Sequence, residues 1–63
     1  MKTFKNKQGS IYIDMTKADG KFNVYVYDYI LLRDVFKKTG LSKIKASKIL
    51  EELKDNYDCH IEL

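Results

Sequence analysis

Cysteine and histidine occur once each in this 63-residue chain, as Cys59 and His60, and proline and tryptophan do not occur at all. A single cysteine excludes an internal disulfide. Cys59 and His60 are neighbours in a segment that reads as extended, so their side chains point to opposite faces and cannot share an ion. Both devices with which very small domains supplement a thin core are therefore missing, and neither a metal nor a cofactor is expected. An unpaired thiol suits a reducing compartment, and Met1 to Ser10 contains lysines but no apolar stretch of the kind a secretory signal needs. The expectation is a cytoplasmic protein. No apolar run approaches the roughly 20 residues of a membrane-crossing helix. The longest is Tyr29 to Leu32, so no membrane partner is expected.

Recognisable catalytic machinery is equally scarce. The chain has no glycine-rich phosphate loop, no Gly-x-Ser-x-Gly turn and no usable Cys/His pair, and Glu51 and Glu52 read as solvent-facing. His60 has around it no nucleophile, orienting group or oxyanion donor to work with. A chain this short buries only about 60% of the surface it exposes when unfolded, which argues against a deep substrate cleft. These absences point away from an enzyme and toward a single domain, residues 1–63, that works by binding. The formal net charge of +3 is compatible with an anionic partner and does not require one.

What is present begins with a hairpin. Asp19-Gly20 sits between two alternating segments, and both residue types accept the positive φ of a tight hairpin turn. Strands are predicted over Ser10 to Lys17 and Lys21 to Asp28. This register sets Met15 opposite Val24, Ile13 opposite Val26, Tyr12 opposite Tyr27 and Asp14 opposite Tyr25. One face then carries Ile11, Ile13, Met15, Phe22, Val24 and Val26, the candidate core. The other carries Tyr12, Asp14, Thr16, Asn23, Tyr25 and Tyr27. Lys2 to Lys5 hold a weaker strand signal around Phe4, with Asn6 to Gly9 as its turn.

After Asp28 the period changes. Leu31, Leu32, Val35 and Phe36 recur at helical spacing, Asp28 can cap the start and Gly40 can end the run, so a first helix is predicted over Tyr29 to Thr39. Ser42 then caps a second helix, reaching about Asn56, whose apolar stripe is Ala46, Ile49, Leu50 and Leu53. Tyr57, Cys59, Ile61 and Leu63 alternate with polar residues and read as a last strand. The predicted fold is α+β. A small antiparallel sheet, made of the hairpin and the C-terminal strand, packs against two helices in the order ββααβ, with the Phe4 segment as an additional short N-terminal strand.

The stretch from Asp34 to Leu50, Asp-Val-Phe-Lys-Lys-Thr-Gly-Leu-Ser-Lys-Ile-Lys-Ala-Ser-Lys-Ile-Leu, resembles the helix-turn-helix of bacterial and phage DNA-binding regulators. Gly40, Leu41 and Ser42 match the glycine that begins the turn, the apolar plug and the cap of the recognition helix. Val35, Ala46 and Ile49 match inward positions. The resemblance implies that Ser42, Lys43, Ile44, Ser47 and Lys48 face the major groove. Two departures accompany it: Phe36 stands where the family usually has a small residue, and a β-hairpin replaces the helix that normally precedes the pair.

The charges on the second predicted helix are inverted relative to its dipole, with Lys43, Lys45 and Lys48 in its first half and Glu51, Glu52 and Asp55 in its second. Such placement forgoes about 0.3 to 1 kcal/mol per charge. Lysines beside the free N–H groups of a helix start suit a phosphate. They suit a solvated face equally well, with Lys48 pairing Glu52 and Lys54 pairing Asp58 or Glu51. Ile44 lies off the apolar stripe. It can meet a thymine methyl or a partner's pocket, and packing beneath the preceding turn is the favoured reading.

Tyr12, Tyr25 and Tyr27, with His60 beside them, form the second candidate surface. Tyrosine is enriched at protein interfaces, and it also simply favours exposed strands. Two partners follow from these surfaces. DNA, the leading one, would be read by the helix at 42–56 through Ser42, Lys43, Ile44, Lys45, Ser47 and Lys48, with the tyrosine face available for a homodimer. The alternative is a host protein, bound by an inhibitor or adaptor of the sort phages encode, through the tyrosine face or an acidic edge.

Overall fold

The hairpin around Asp19 and Gly20 forms as predicted in the computed structural model, which describes residues 1–63. The two turn residues take φ values of +52° and +74°, the sign a type I′ turn needs at both positions. They join β2 (Ile11–Ala18) to β3 (Lys21–Asp28), with Ile13 opposite Val26, Met15 opposite Val24, Tyr12 opposite Tyr27 and Asp14 opposite Tyr25. The weaker N-terminal signal also forms a strand, β1 (Lys2–Lys5), which pairs antiparallel with β2 and sets Phe4 opposite Ile13.

Asn6 closes the β1–β2 connection. Its Oδ1 accepts from the backbone N–H of Ser10 at 2.9 Å and of Ile11 at 3.2 Å, and its Nδ2 donates to Ser10 Oγ at 2.9 Å. Asn6 is the one buried polar residue, and its side chain stands in for backbone pairing that the turn cannot supply.

The predicted ββααβ arrangement with two helices does not form. Residues 33–41 are a strand, β4 (Arg33–Leu41), followed by a single helix, α1 (Lys43–Tyr57), and a two-residue strand, β5 (Ile61–Glu62). The sheet has five strands in the order β4-β3-β2-β1-β5, every neighbouring pair antiparallel.

The physical reason lies in two irregularities of β4. The register shifts between Val26/Phe36 and Tyr27/Asp34, leaving Val35 as an extra residue, and again between Phe22/Leu41 and Val24/Lys38. Bulges of this kind turn consecutive residues to one face, so Val35 and Phe36 both pack on the core and imitate helical spacing. Gly40 takes φ +67° at the second bulge, where its N–H donates to Asn23 Oδ1 at 3.1 Å. Its left-handed backbone serves the bulge and ends no helix. Asp28 does cap, accepting from Ile30 N–H at 2.8 Å and Leu31 N–H at 3.0 Å. It caps only one turn, which Leu32 closes at φ +56°.

The second predicted helix is α1. Ser42 is its N-cap, its Oγ accepting from Lys45 N–H at 3.2 Å. Ala46, Leu50 and Leu53 are buried against Phe4, Ile13, Val24, Val26 and Cys59, with Ile49 packed beside them. Each large apolar side chain so enclosed contributes about 1.5–3 kcal/mol relative to exposure. Lys54 lays its ammonium 4.3 Å from the centroid of the Phe4 ring and pairs with Glu51 at 3.2 Å.

The predicted strand at 57–63 is mostly not one. Tyr57 is the last helical residue, Asp58 at φ +56° ends the helix by donating to Lys54 O, and only Ile61 and Glu62 pair, with Lys5 and Phe4. The helix covers one face of the sheet and leaves the other open. No helix is long and apolar enough to cross a membrane.

Candidate functional site

On the open face the alternation of β2 and β3 brings Tyr12, Tyr25 and Tyr27 together as the sequence predicts. A fourth tyrosine joins them. Tyr29 follows β3 in the β3–β4 turn, where its N–H donates to Ser10 O at 2.8 Å. Its ring meets Tyr12 at a centroid distance of 5.2 Å and 75°, and Tyr27 at 4.7 Å and 65°. These are edge-to-face contacts, the geometry that aromatic quadrupoles favour.

The four rings line an open cleft of about 470 Å³ together with Asp14 and Asp34. Asp34, on β4, stands opposite Tyr27, and Asp14 accepts from the Thr3 hydroxyl at 2.6 Å. Neither carboxylate has a cationic side chain within 4.0 Å. Two lysines share this face: Lys37, whose Nζ lies 5.9 Å from the centroid of Tyr25, and Lys5, opposite Tyr12 in the β1–β2 register. Sequence reasoning missed Tyr29 and Asp34 because it assigned both to a helix. The surrounding signal was Asp28 followed by four apolar residues, which fits a capped exposed turn as well as a helix start.

Four of the chain's eight exposed large hydrophobic residues, Tyr29 to Leu32, lie in that turn. Ile30 is 78% exposed and Leu32 72%, with Leu31 also largely in solvent. Leu32 additionally holds a left-handed backbone, which costs a non-glycine residue about 1–2 kcal/mol. Strain of this kind persists where the surroundings over-determine it, and it concentrates at binding sites.

The residues implied by the regulator resemblance are placed differently. Asp34 to Leu41 lie in β4 and Lys43 to Leu50 in α1, so the segment spans a strand and a helix. Phe36 faces the core from β4, opposite Val26. Ser42, Lys43, Ile44, Lys45, Ser47 and Lys48 are all exposed around the start of α1. The Ser42 hydroxyl already serves the cap. Ile44 is 83% exposed, which corrects the expectation that it packs under the preceding turn. The first turn of α1 carries no acid.

His60 does not join the tyrosines. It sits at the C-terminal end of α1, its Nε2 3.5 Å from Asp58 Oδ1 and 3.9 Å from Asp55 Oδ1. Cys59 is fully buried, its thiol within 3.6 Å of Ile11 O and of Tyr57 O. Burial, and to a lesser degree the charge of Asp58, raise its pKa, the opposite of what a reactive thiol needs. A shallow groove between β4 and α1 is floored by Phe36, Ile49, Leu53 and Tyr57 and edged by Lys38 and Glu52. The chain matches no protein-family model, no curated protein and no solved structure.

Proposed function

We propose that this chain is a non-catalytic binding module that docks another protein on the open face of its sheet. One observation carries the reading: Tyr29 packs edge-to-face on Tyr12 and Tyr27 in a cleft that Tyr25 also lines, beside a strained turn that holds Ile30, Leu31 and Leu32 in solvent. Tyrosine offers large contact area at little rotamer cost, and an exposed apolar cluster beside it supplies the desolvated centre on which protein interfaces depend. An inhibitor or adaptor acting by mass and shape needs no more chemistry than this.

A second reading is favoured by a separate observation, the exposed Lys43, Lys45 and Lys48 on a helix start without acids. In it, α1 contacts nucleic-acid phosphates, with Ile44 and Ser47 beside the lysines.

One experiment separates the two. Immobilised wild-type protein, a Tyr27→Ala/Leu31→Ser variant and a Lys43→Ala/Lys48→Ala variant are each challenged with bacterial extract, and retained proteins are identified by mass spectrometry. The same three are titrated against mixed duplex DNA at about 50 and 200 mM salt. A protein retained by the wild type and the lysine variant but lost from the face variant supports docking on the sheet. DNA binding that collapses at the higher salt and in the lysine variant, with no such protein, overturns it in favour of the helix.

A further inference from the structure

We infer that the tyrosine cleft is a cation cage that seats an arginine side chain of the docked protein; this rests on the docking reading above and names what its central contact recognises. The cleft has two kinds of group and both attract the same ligand chemistry. Ring faces present negative quadrupole potential to a cation, and Tyr29 stands at 75° and 65° to Tyr12 and Tyr27, so the rings wall a corner from different directions. Asp14 and Asp34 add two full negative charges to the same lining.

The charge balance is what makes the cleft informative. The chain carries a formal net charge of +3, yet no lysine or arginine reaches either carboxylate within 4.0 Å. A surface rich in lysine thus leaves two acids unneutralised where four aromatic rings converge. Lys37 already sets a cation 5.9 Å from the Tyr25 centroid, and neither it nor any other lysine or arginine is among the residues that line the cleft.

Arginine fits better than lysine for three reasons. Its guanidinium is planar and stacks on aromatic faces. It is more weakly hydrated than an ammonium, so less is lost on leaving water. Its fork of donors can meet a carboxylate in two places at once. The cleft volume of about 470 Å³ lies within the range of small-ligand sites, about 300–1,000 Å³, ample for one side chain. Ile30, Leu31 and Leu32 follow Tyr29 in the chain and are exposed, so they offer apolar contact to the docked protein next to the cleft.

The test uses the whole chain and defined probes. Tyrosine ring signals are followed by two-dimensional ¹H–¹³C NMR during titration with N-acetyl-arginine amide, N-acetyl-lysine amide and N-acetyl-citrulline amide, the last a neutral near-isostere of arginine. The expected result is saturable, salt-sensitive shifts of Tyr12, Tyr25, Tyr27 and Tyr29 with arginine. Binding should be about tenfold weaker for citrulline and several-fold weaker for lysine. Asp34→Asn, on an exposed edge position and checked for unchanged circular dichroism, should weaken arginine about three- to tenfold and leave citrulline unchanged.

Equal binding of arginine and citrulline, or no saturable shift with either, overturns the inference. So does equal binding of lysine. Self-association that Arg33→Ala abolishes would overturn the docking of a different protein, since the seated arginine would then belong to a second copy. The two readings fail separately. A partner retained through Leu31 but indifferent to Asp34→Asn leaves docking intact and removes the arginine, whereas an arginine-selective cleft in a chain that retains no protein removes the docking.

Discussion

Replacing Asn6 by alanine should cost this protein a large part of its stability, although the residue sits in a turn and not in the apolar core cluster. The side chain makes three hydrogen bonds, two accepted from the backbone of Ser10 and Ile11 and one donated to Ser10 Oγ. Each contributes about 0.5–1.5 kcal/mol net, and backbone donors left without partners cost more when water cannot reach them. Ser10 and Ile11 are half-buried, so partial rescue by water brings the expected loss to about 2–3 kcal/mol. A domain of this size holds about 3–9 kcal/mol in all. Urea unfolding at 25 °C, followed by far-ultraviolet circular dichroism and tyrosine fluorescence, reads the change directly. Asn6→Asp keeps the one oxygen that accepts both backbone bonds and replaces the donor by an oxygen to which the Ser10 hydroxyl can donate. The charge it places in a buried site has its own cost, but the loss should stay smaller than that of Asn6→Ala. The consequence reaches the cleft, because Ser10 O holds the N–H of Tyr29 at 2.8 Å, and Asn6→Ala should broaden the Tyr29 ring signals. An Asn6→Ala protein within about 0.5 kcal/mol of wild type, or one no less stable than Asn6→Asp, would refute the reasoning.

Three further outcomes are expected. Leu32→Asn relieves a left-handed leucine whose side chain is mostly in solvent, so it should stabilise the fold by about 0.5–1 kcal/mol while weakening partner retention; loss of stability in thermal unfolding would contradict this. Gly40→Ala should destabilise by about 1–2 kcal/mol, and Gly40→Asn by less. The space around a Cβ there is empty, so unchanged urea midpoints would show that the bulge does not impose the positive φ. The folded state binds the Cys59 thiol proton more tightly than the unfolded chain does. Its contribution is therefore complete below the ordinary thiol pKa of about 8.5 and fades as pH rises through the higher folded value. Urea midpoints of wild type minus Cys59→Ala, measured from pH 7 to 10, should fall with pH; a flat difference would contradict the burial effect.

Several elements were legible because local chemistry and tertiary demand agree there. Asp-Gly selects one turn, that turn selects one register, and the period-2 pattern then assigns every side chain of β2 and β3 to a face. Ser42 and the Ala46, Leu50, Leu53 stripe specify α1 in the same way. The segment 29–41 was not legible because its local signals serve two structures. An aspartate accepting from the next N–H groups looks alike at a helix start and in an exposed turn. Adjacent Val35 and Phe36 on one face look alike on a helix and across a bulge.

What the sequence determined by itself is the hairpin, its register, the capped helix and the grouping of Tyr12, Tyr25 and Tyr27, each set by interactions within a few residues or by strict alternation. Tertiary structure decided that β3 takes a strand as its outer neighbour, because pairing residues 33–41 satisfies the backbone edge of β3 and delivers both Val35 and Phe36 to the core. That choice also carried Tyr29 and Asp34 into the cleft and left Ile30, Leu31 and Leu32 in solvent. The candidate site was completed by a strand pairing that no local pattern records.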